Sequence, residues 1–373
     1  MSYRAGIIGC GSISAAHARG YQGTPGIELV AAADPVERAR TGIQAQFSIP
    51  RIYADAEEML REEKLDFVSI CLWHPLHAPF TLQAARHQPK AILCEKPMAT
   101  CLAEADAMLA ACDEQGVKLV IGHQRRYNHS WTRARQLLAD GAIGEPRMVN
   151  VQTGEGLLNC GTHVVDAIRY LTGDPATEWV FGAVERQSDR FERNVCIEDC
   201  CMGLIQFVGG VQALVQCDLT GTSNVENYTV TGSDGILEVG QRSVRWLRGG
   251  GGDWQTEDTG YDDPWVLQAQ AALAWVEGAA DGHRGEGRQA RRTLEILMGI
   301  YQSARERAVV RMPLAVGAYP LGAWVDEGGL PVTQPGRYDI RLFLSFDPEQ
   351  KAHYQEQRRA GRHPREILRE MGF

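Results

Sequence analysis

A glutamate and a lysine, Glu95 and Lys96, close the apolar run Ala91-Ile92-Leu93-Cys94 and are followed by Pro97. An apolar run between polar helical patterns reads as a buried strand of a parallel sheet, and such sheets bind ligands beyond the carboxyl ends of their strands. Lys96 is therefore expected at the edge of a bound cofactor. The cofactor's type follows from the start of the chain, where the run Arg4 to Ile8 ends in Gly9-Cys10-Gly11-Ser12-Ile13-Ser14 and a helical pattern begins. Glycines between a strand and a helix let backbone N–H groups approach a pyrophosphate. Ser14 stands where a third glycine is usual and is small enough for the helix to pack on the strand. A second strand, Leu29 to Ala33, ends in Asp34, whose carboxylate is placed to accept hydrogen bonds from ribose hydroxyls. NAD is thus favoured, because a 2′-phosphate would meet a like charge; Arg38 and Arg40 on the next helix keep NADP as the lesser alternative.

With a nicotinamide at hand, Lys96 acquires a role. Oxidising a secondary alcohol needs a base within hydrogen-bond reach of the hydroxyl. Burial and the positive nicotinamide ring both disfavour a charged lysine and turn it into such a base. Glu95 is expected at the cofactor's ribose or nicotinamide region. The sequence leaves the isomer of the Lys96–Pro97 bond open. At the end of the run Phe67 to Leu72, Trp73 and His77 are expected to line the cofactor channel, with Pro75 starting a helix. Two histidines three apart, His74 and His77, lack a nearby carboxylate or cysteine partner, and Cys196, Cys200 and Cys201 lack a second half, so no metal site is expected.

These residues need a frame. Between residue 4 and about 122 short apolar runs alternate with helical patterns, the signature of βαβ units on a doubly wound sheet. Strands are expected at 4–9, 28–33, 67–72, 91–95 and 118–122, and helices near 12–22, 35–46, 55–63, 76–87 and 100–115. Beyond, strand-like content marks 147–153, 178–187, 201–219 and 226–247, with Gly209-Gly210 as a hairpin signal, and helical patterns return at 264–280 and 288–307.

The chain's 373 residues suit two domains, expected as 1–123 and 124–330 with an extension at 331–373. A net charge of −9 argues against broad affinity for nucleic acid or anionic membrane and leaves a small molecule as the substrate. No leader or membrane-spanning run is visible, so a cytoplasmic location is expected, and the scattered cysteines (Cys10, Cys71, Cys94, Cys112 among them) suit reduced thiols.

The ordered set Gly9-Cys10-Gly11, Asp34, His77 and Glu95-Lys96-Pro97, followed by Gly161-Thr162-His163-Val164-Val165-Asp166, resembles the glucose-fructose oxidoreductase, inositol dehydrogenase and MocA family. Arg125-Arg126-Tyr127, Gly141 to Pro146 and Val230 to Glu238 extend the resemblance over roughly residues 4–310. It implies an α/β fold class: an N-terminal Rossmann domain and a C-terminal α/β domain whose open, mostly antiparallel sheet offers one face to the cofactor and the other to a neighbouring subunit, in a homodimer or homotetramer. It further implies a carbohydrate-like substrate and a catalytic group of Lys96, His163 and Asn159, the last four residues before His163. Cofactor contacts are expected from Gly9, Gly11, Ser12, Ile13, Asp34, Leu72, Trp73, His77, Glu95, Lys96 and Gln124. Substrate contacts are expected from Lys96, Arg125, Glu155, Asn159 and His163, while Asp166 is read as structural.

Two departures stand out. Many relatives carry aspartate where Asn159 stands, so His163 loses one charged partner, which sets the inositol-dehydrogenase subtype apart. The usual long segment covering the substrate is missing, because Thr153 runs almost directly into Gly154 to Asn159. The tail from about 331, with Tyr338, Phe343 and a helical stretch at 348–359, is the candidate cover for its own or a neighbouring site. The expected activity is NAD-dependent hydride transfer at a secondary alcohol of a sugar, cyclitol or glycoside. The alternatives are redox-neutral glycoside cleavage or epimerisation with retained NAD, and a non-enzymatic NAD-binding regulator, which the presence of Lys96 disfavours.

Overall fold

The computed structural model describes residues 2–219 and 228–373. The apolar runs of the first half become β1 (Tyr3–Ile8), β2 (Ile27–Ala33), β3 (Arg51–Tyr53), β4 (Phe67–Ile70), β5 (Ala91–Cys94) and β6 (Lys118–Ile121). They form a six-stranded parallel sheet in the order β3-β2-β1-β4-β5-β6. Every residue of β4 and β5 is buried, as a sheet covered on both faces requires. Helices α1 (Ser14–Gln22), α2 (Glu37–Phe47), α3 (Ala56–Glu63), α4 (His77–Arg86) and α5 (Leu102–Glu114) provide the cover. β3 escapes the sequence reading because three residues give no period to detect. The strand order reverses between β1 and β4, which opens a crevice at their carboxyl ends.

After α6 (His129–Ala139) and β7 (Pro146–Thr153), α7 (Thr162–Leu171) leads into β8 (Thr177–Glu185), β9 (Ser188–Glu192) and β10 (Val195–Cys196). Then come β11 (Cys200–Phe207), β12 (Gln212–Cys217), β13 (Tyr228–Gly232), β14 (Gly235–Val239), β15 (Ser243–Arg248) and β16 (Gln255–Asp258). Helices α8 (Pro264–Val276) and α9 (Gly287–Glu306) precede β17 (Val310–Arg311). Among the described residues these strands build a nine-stranded sheet, β16-β15-β14-β13-β7-β12-β11-β8-β17, antiparallel except between β7 and β12. The strand-like stretch 201–219 is a hairpin of β11 and β12, turned at Gly209 and Gly210 as their pairing in the sequence suggests, both with positive φ. The expected stretch 226–247 resolves into β13 to β15, its residues 226 and 227 lying outside the described ones.

Helix α9 closes one face of this sheet. Gly182 and Gly203 are cross-strand partners, and a Cβ on either would lie 2.2 Å from the Ile300 carbonyl oxygen or 2.4 Å from its Cδ1, so glycine lets the helix in. Helix α8, expected within the second domain, instead packs on α1: Ala269 and Ala272 share a core with Ala5, Ile7, Ala18 and Tyr21. α10 (Pro320–Asp326) precedes the tail, which carries β18 (Gln334–Asp339), α11 (Pro348–Arg359) and α12 (Pro364–Glu370). β18 adds in parallel to β9 to give a three-stranded sheet, β10-β9-β18. Tyr338, Phe346, Tyr354, Ile367 and Leu368 form a small core of the tail's own. No helix among the described residues is long and apolar enough to cross a membrane.

Candidate active site

The crevice brings the glycine loop, Asp34 and Lys96 to one edge of the parallel sheet. Gly9 adopts φ +89°, and a Cβ there would meet the Cys71 carbonyl at 2.6 Å, so only glycine fits the turn. Gly11 has no atom within 4 Å of where a Cβ would stand, and Ser12 is exposed, leaving the loop's outer side open to a pyrophosphate. Ser14 is buried under the loop and its hydroxyl donates to the Gly11 carbonyl. Asp34 accepts from the Cys10 N–H at 2.8 Å and from the Val36 N–H at 2.8 Å, which ties the end of β2 to the loop. Leu72 and Trp73 are half-buried after β4, and Gln124 is half-buried at the turn after β6. This edge fits a dinucleotide.

Lys96 lies two residues past the end of β5, and the bond from it to Pro97 is cis. Its Nζ donates to Asn159 Oδ1 at 2.8 Å and to the Asn159 carbonyl at 3.1 Å. Burial lowers the Lys96 pKa, and Arg193 pushes the same way, against Cys160 and the carboxylates of Glu95 and Glu192. Asn159 lies on a π-helical turn, Gly156–Gly161, that precedes α7, so its relation to His163 is not the plain α-helical spacing read from the sequence. The turn is held by carboxylates: Asp218 accepts from the N–H groups of Glu155 and Gly156 at 2.7 Å and 2.8 Å, and Glu198 from that of Leu157 at 2.6 Å. Asn159 Nδ2 and His163 Nδ1 are buried without a hydrogen-bond partner. Native proteins seldom leave such atoms unpaired, so both are free for a ligand. Burial, then Lys96 and Arg125, hold His163 far below its ordinary pKa and therefore neutral.

Other candidates occupy supporting positions. Glu95, expected on the cofactor, is 6% exposed and lies in the interior, 3.0 Å from His17 Nε2 on α1. A chain continues from His17 Nδ1 to Ser69 Oγ at 2.8 Å and on to the Tyr21 hydroxyl at 2.7 Å. Burial alone would raise the Glu95 pKa, but the His17 bond and the charges of His17 and Lys96 outweigh it and lower the value. His77, expected to line the channel, is fully buried behind it, its ring nitrogens 2.7 Å from the Pro97 carbonyl and 3.0 Å from that of Leu72. Both residues shape the turn that carries Lys96. Arg125 donates to the Tyr228 hydroxyl at 3.0 Å. Glu155, expected at the substrate, is ion-paired with Arg341 of the tail.

Asp166 is buried in a double hydrogen bond with Arg126, at 2.7 Å and 2.9 Å, as a structural residue would be. His123, beside it, is held neutral at a pKa of about 4 by burial, and its ring lies edge-on to His163 at 6.1 Å.

Sequence reading missed a second group around Lys96. Arg193 and Asn194 form the two-residue turn between β9 and β10, both with positive φ. Arg193 Nη1 reaches Asn159 Oδ1 at 3.3 Å and His74 Nε2 at 3.3 Å and pairs with the buried Glu192. His74 Nδ1 is 3.0 Å from the other Glu192 oxygen, out of hydrogen-bond alignment. The signal in the sequence is Arg193-Asn194 between the mostly polar run Ser188 to Glu192 and the apolar Val195-Cys196-Ile197, and nothing local connects it to Lys96.

Residues 3–123 match the oxidoreductase family described as an NAD-binding Rossmann fold, and residues 152–238 match the GFO/IDH/MocA C-terminal domain. The chain is 32% identical over 260 residues to a D-apiose dehydrogenase of Paraburkholderia graminis, spanning 64% of this chain and 67% of the relative. It is 26% identical over 285 residues to an inositol 2-dehydrogenase of Burkholderia multivorans, spanning 68% and 81%. In fold it is similar to the aldose-aldose oxidoreductase of Caulobacter crescentus complexed with glycerol, with a TM-score of 0.73 and 24% identity over 84% of this chain and 100% of that one. The dinucleotide loop, the lysine at the end of β5 and the large second sheet thus have one source: the chain belongs to the Gfo/Idh/MocA family and is a sugar- and polyol-dehydrogenase-like oxidoreductase.

Proposed function

We propose that this chain is an NAD-dependent dehydrogenase of a secondary alcohol on a sugar, cyclitol or glycoside, with Lys96 as the general acid/base. The observation that carries this is the pair of hydrogen bonds from Lys96 Nζ to Asn159. A neutral amine has two N–H groups and one lone pair. Asn159 takes both N–H groups, which leaves the lone pair for the hydroxyl proton of a substrate. A lowered pKa makes that neutral form accessible. Asn159 Nδ2 and His163 Nδ1, buried and unpaired, orient the substrate oxygens, and neutral His163 adds no charge to compete for the proton. A bound nicotinamide supplies the hydride acceptor or donor.

The preference for NAD is supported by the arginines near Asp34. Arg40 is spent on the carbonyls of Asp34 and Pro35, at 3.3 Å and 3.1 Å, and Arg38 on that of Phe346 at 3.1 Å, so a 2′-phosphate would have to displace them beside a carboxylate. A screen of sugars and cyclitols, with D-apiose and myo-inositol included, tests the proposal by absorbance of the reduced cofactor, with NAD and NADP run in parallel. Reduction of neither cofactor by any substrate, or faster turnover with NADP, would overturn it. A second reading, redox-neutral cleavage or epimerisation with retained NAD, is favoured by one observation, the anchoring of the tail at both ends of the cofactor crevice. Product without net NADH in that screen distinguishes it.

A further inference from the structure

The tail meets the site at three points. Asp339, the last residue of β18, accepts from the backbone N–H groups of Arg193 at 3.1 Å, Asn194 at 2.8 Å and Arg341 at 2.8 Å. It thereby fastens the turn that aims Arg193 at Asn159 and His74. An arginine with φ +46° is uncommon, and the Asp339 carboxylate helps to hold it there. Among the described residues, every side-chain hydrogen bond of Arg193 runs through Nη1, which leaves its Nε and Nη2 edge for a substrate hydroxyl or carboxylate.

Two residues on, Arg341 pairs with Glu155, at the start of the π turn that carries Asn159. Five residues further, the Phe346 carbonyl accepts from Arg38 on α2, the helix that follows the ribose carboxylate Asp34. The segment between is short, half-buried and apolar (Leu342, Phe343, Leu344). Phe343 stacks on Tyr354 at 5.1 Å, and Phe346 on Phe373 at 4.7 Å, so the tail's own core stiffens it. It therefore joins the reaction end of the crevice to the ribose end, in the chain that lacks the usual covering segment.

We propose that the C-terminal segment 334–346 is part of this chain's own active site: it positions Arg193 as a substrate contact beside Lys96 and closes the crevice over the bound dinucleotide, slowing its release. Asp339 is a positioning residue for Arg193, and Arg341 is the clasp. The proposal rests on reading the crevice as a nicotinamide site and deepens it.

NADH, whose fluorescence reports binding without turnover, is the probe. Dissociation of NADH chased with excess NAD is measured by stopped flow for the full chain, Arg341→Ala, Asp339→Asn, a truncation after residue 330, and Arg362→Ala as a control at the far end of the tail. Dissociation is expected to speed up by at least ~10-fold in Arg341→Ala and in the truncation, the scale of one well-placed charged contact acting on the off-rate. Arg362→Ala should match the full chain. Asp339→Asn and Arg193→Lys should raise KM for the best substrate of the sugar panel by roughly tenfold or more, with the NADH dissociation constant unchanged in Arg193→Lys. If the truncated chain fails to fold, Arg341→Ala decides alone. Equal NADH dissociation in the full chain and Arg341→Ala overturns the closure, and an unchanged KM in Arg193→Lys overturns the substrate contact. Failure of the full chain to bind NADH at all would instead overturn the underlying reading of the crevice.

Discussion

In the proposed role, Lys96 is a usable base because its surroundings withhold what a lysine ordinarily has. Burial removes the water that stabilises the ammonium, and Asn159 offers two neutral acceptors where a carboxylate would have favoured the charge. Lys96→Ala should keep NADH binding within a few-fold while lowering kcat by at least ~10²-fold, the scale of general acid/base catalysis; near-normal turnover would refute the role. Alcohol oxidation needs neutral Lys96, so kcat/KM should rise with pH and level off through a pKa below the ordinary lysine value of about 10.4. Asn159→Asp places a negative charge at the acceptor 2.8 Å from Nζ and favours the ammonium, so the rising limb should move to higher pH by about one unit. A profile that stays put would show that Asn159 does not tune Lys96. Lys96 itself is legible in the sequence because a charged pair ending an apolar run is an anomaly. His17 and Arg193 are not, because their partners Glu95 and Asn159 are distant in the chain and a side-chain hydrogen bond across such a distance leaves no local pattern.

The elements around Lys96 owe their positions to buried polar contacts as much as to apolar packing. Helix α7 presents His163 and is locked by Asp166, which bonds Arg126 on the turn after β6 and Thr293 on α9. Burial would raise the Asp166 pKa, but the Arg126 and His123 charges and the Arg126 bonds bring it down to about 2. The sign follows: this carboxylate contributes stability above its unfolded pKa of about 3.9, and the contribution is lost as pH falls toward 2. Asp166→Asn should leave the Arg126 charge short of a partner and destabilise the chain by roughly 3–5 kcal/mol, measured by urea unfolding at neutral pH. A loss under ~1 kcal/mol would mean that Asp174, 2.8 Å from the same guanidinium, suffices alone. The expected helices and strands of the first domain all appear within two residues of their places, because the strands are buried apolar runs and the helices bury apolar faces against them. The hairpin β9–β10 and strand β18 do not announce themselves. Ser188, Glu192 and Asp339 are polar residues buried by one another's segments, so their pattern reads as loop until the tail is laid on.

At the scale of the molecule, the two faces of the nine-stranded sheet are unequal. Helix α9 closes one across Gly182 and Gly203. On the other, Phe181 and Met202 are 44% and 41% exposed, and Leu204 is the direct cross-strand partner of both Phe181 and Leu214. An apolar row on an antiparallel sheet departs from the usual polar outer face and is a surface suited to cover by another. Since the tail already occupies the crevice edge, the occupant expected here is a second copy of the chain, sheet against sheet, with self-complementary contacts. Phe181→Glu combined with Met202→Glu would bring four like charges together across such an interface. Sedimentation velocity should then show the full chain as a dimer or larger and the double variant shifted to monomer, with NADH binding retained, because neither residue belongs to the crevice. A full chain that sediments as a monomer at micromolar concentration, or a double variant that remains assembled, would assign this row to some other partner or to none.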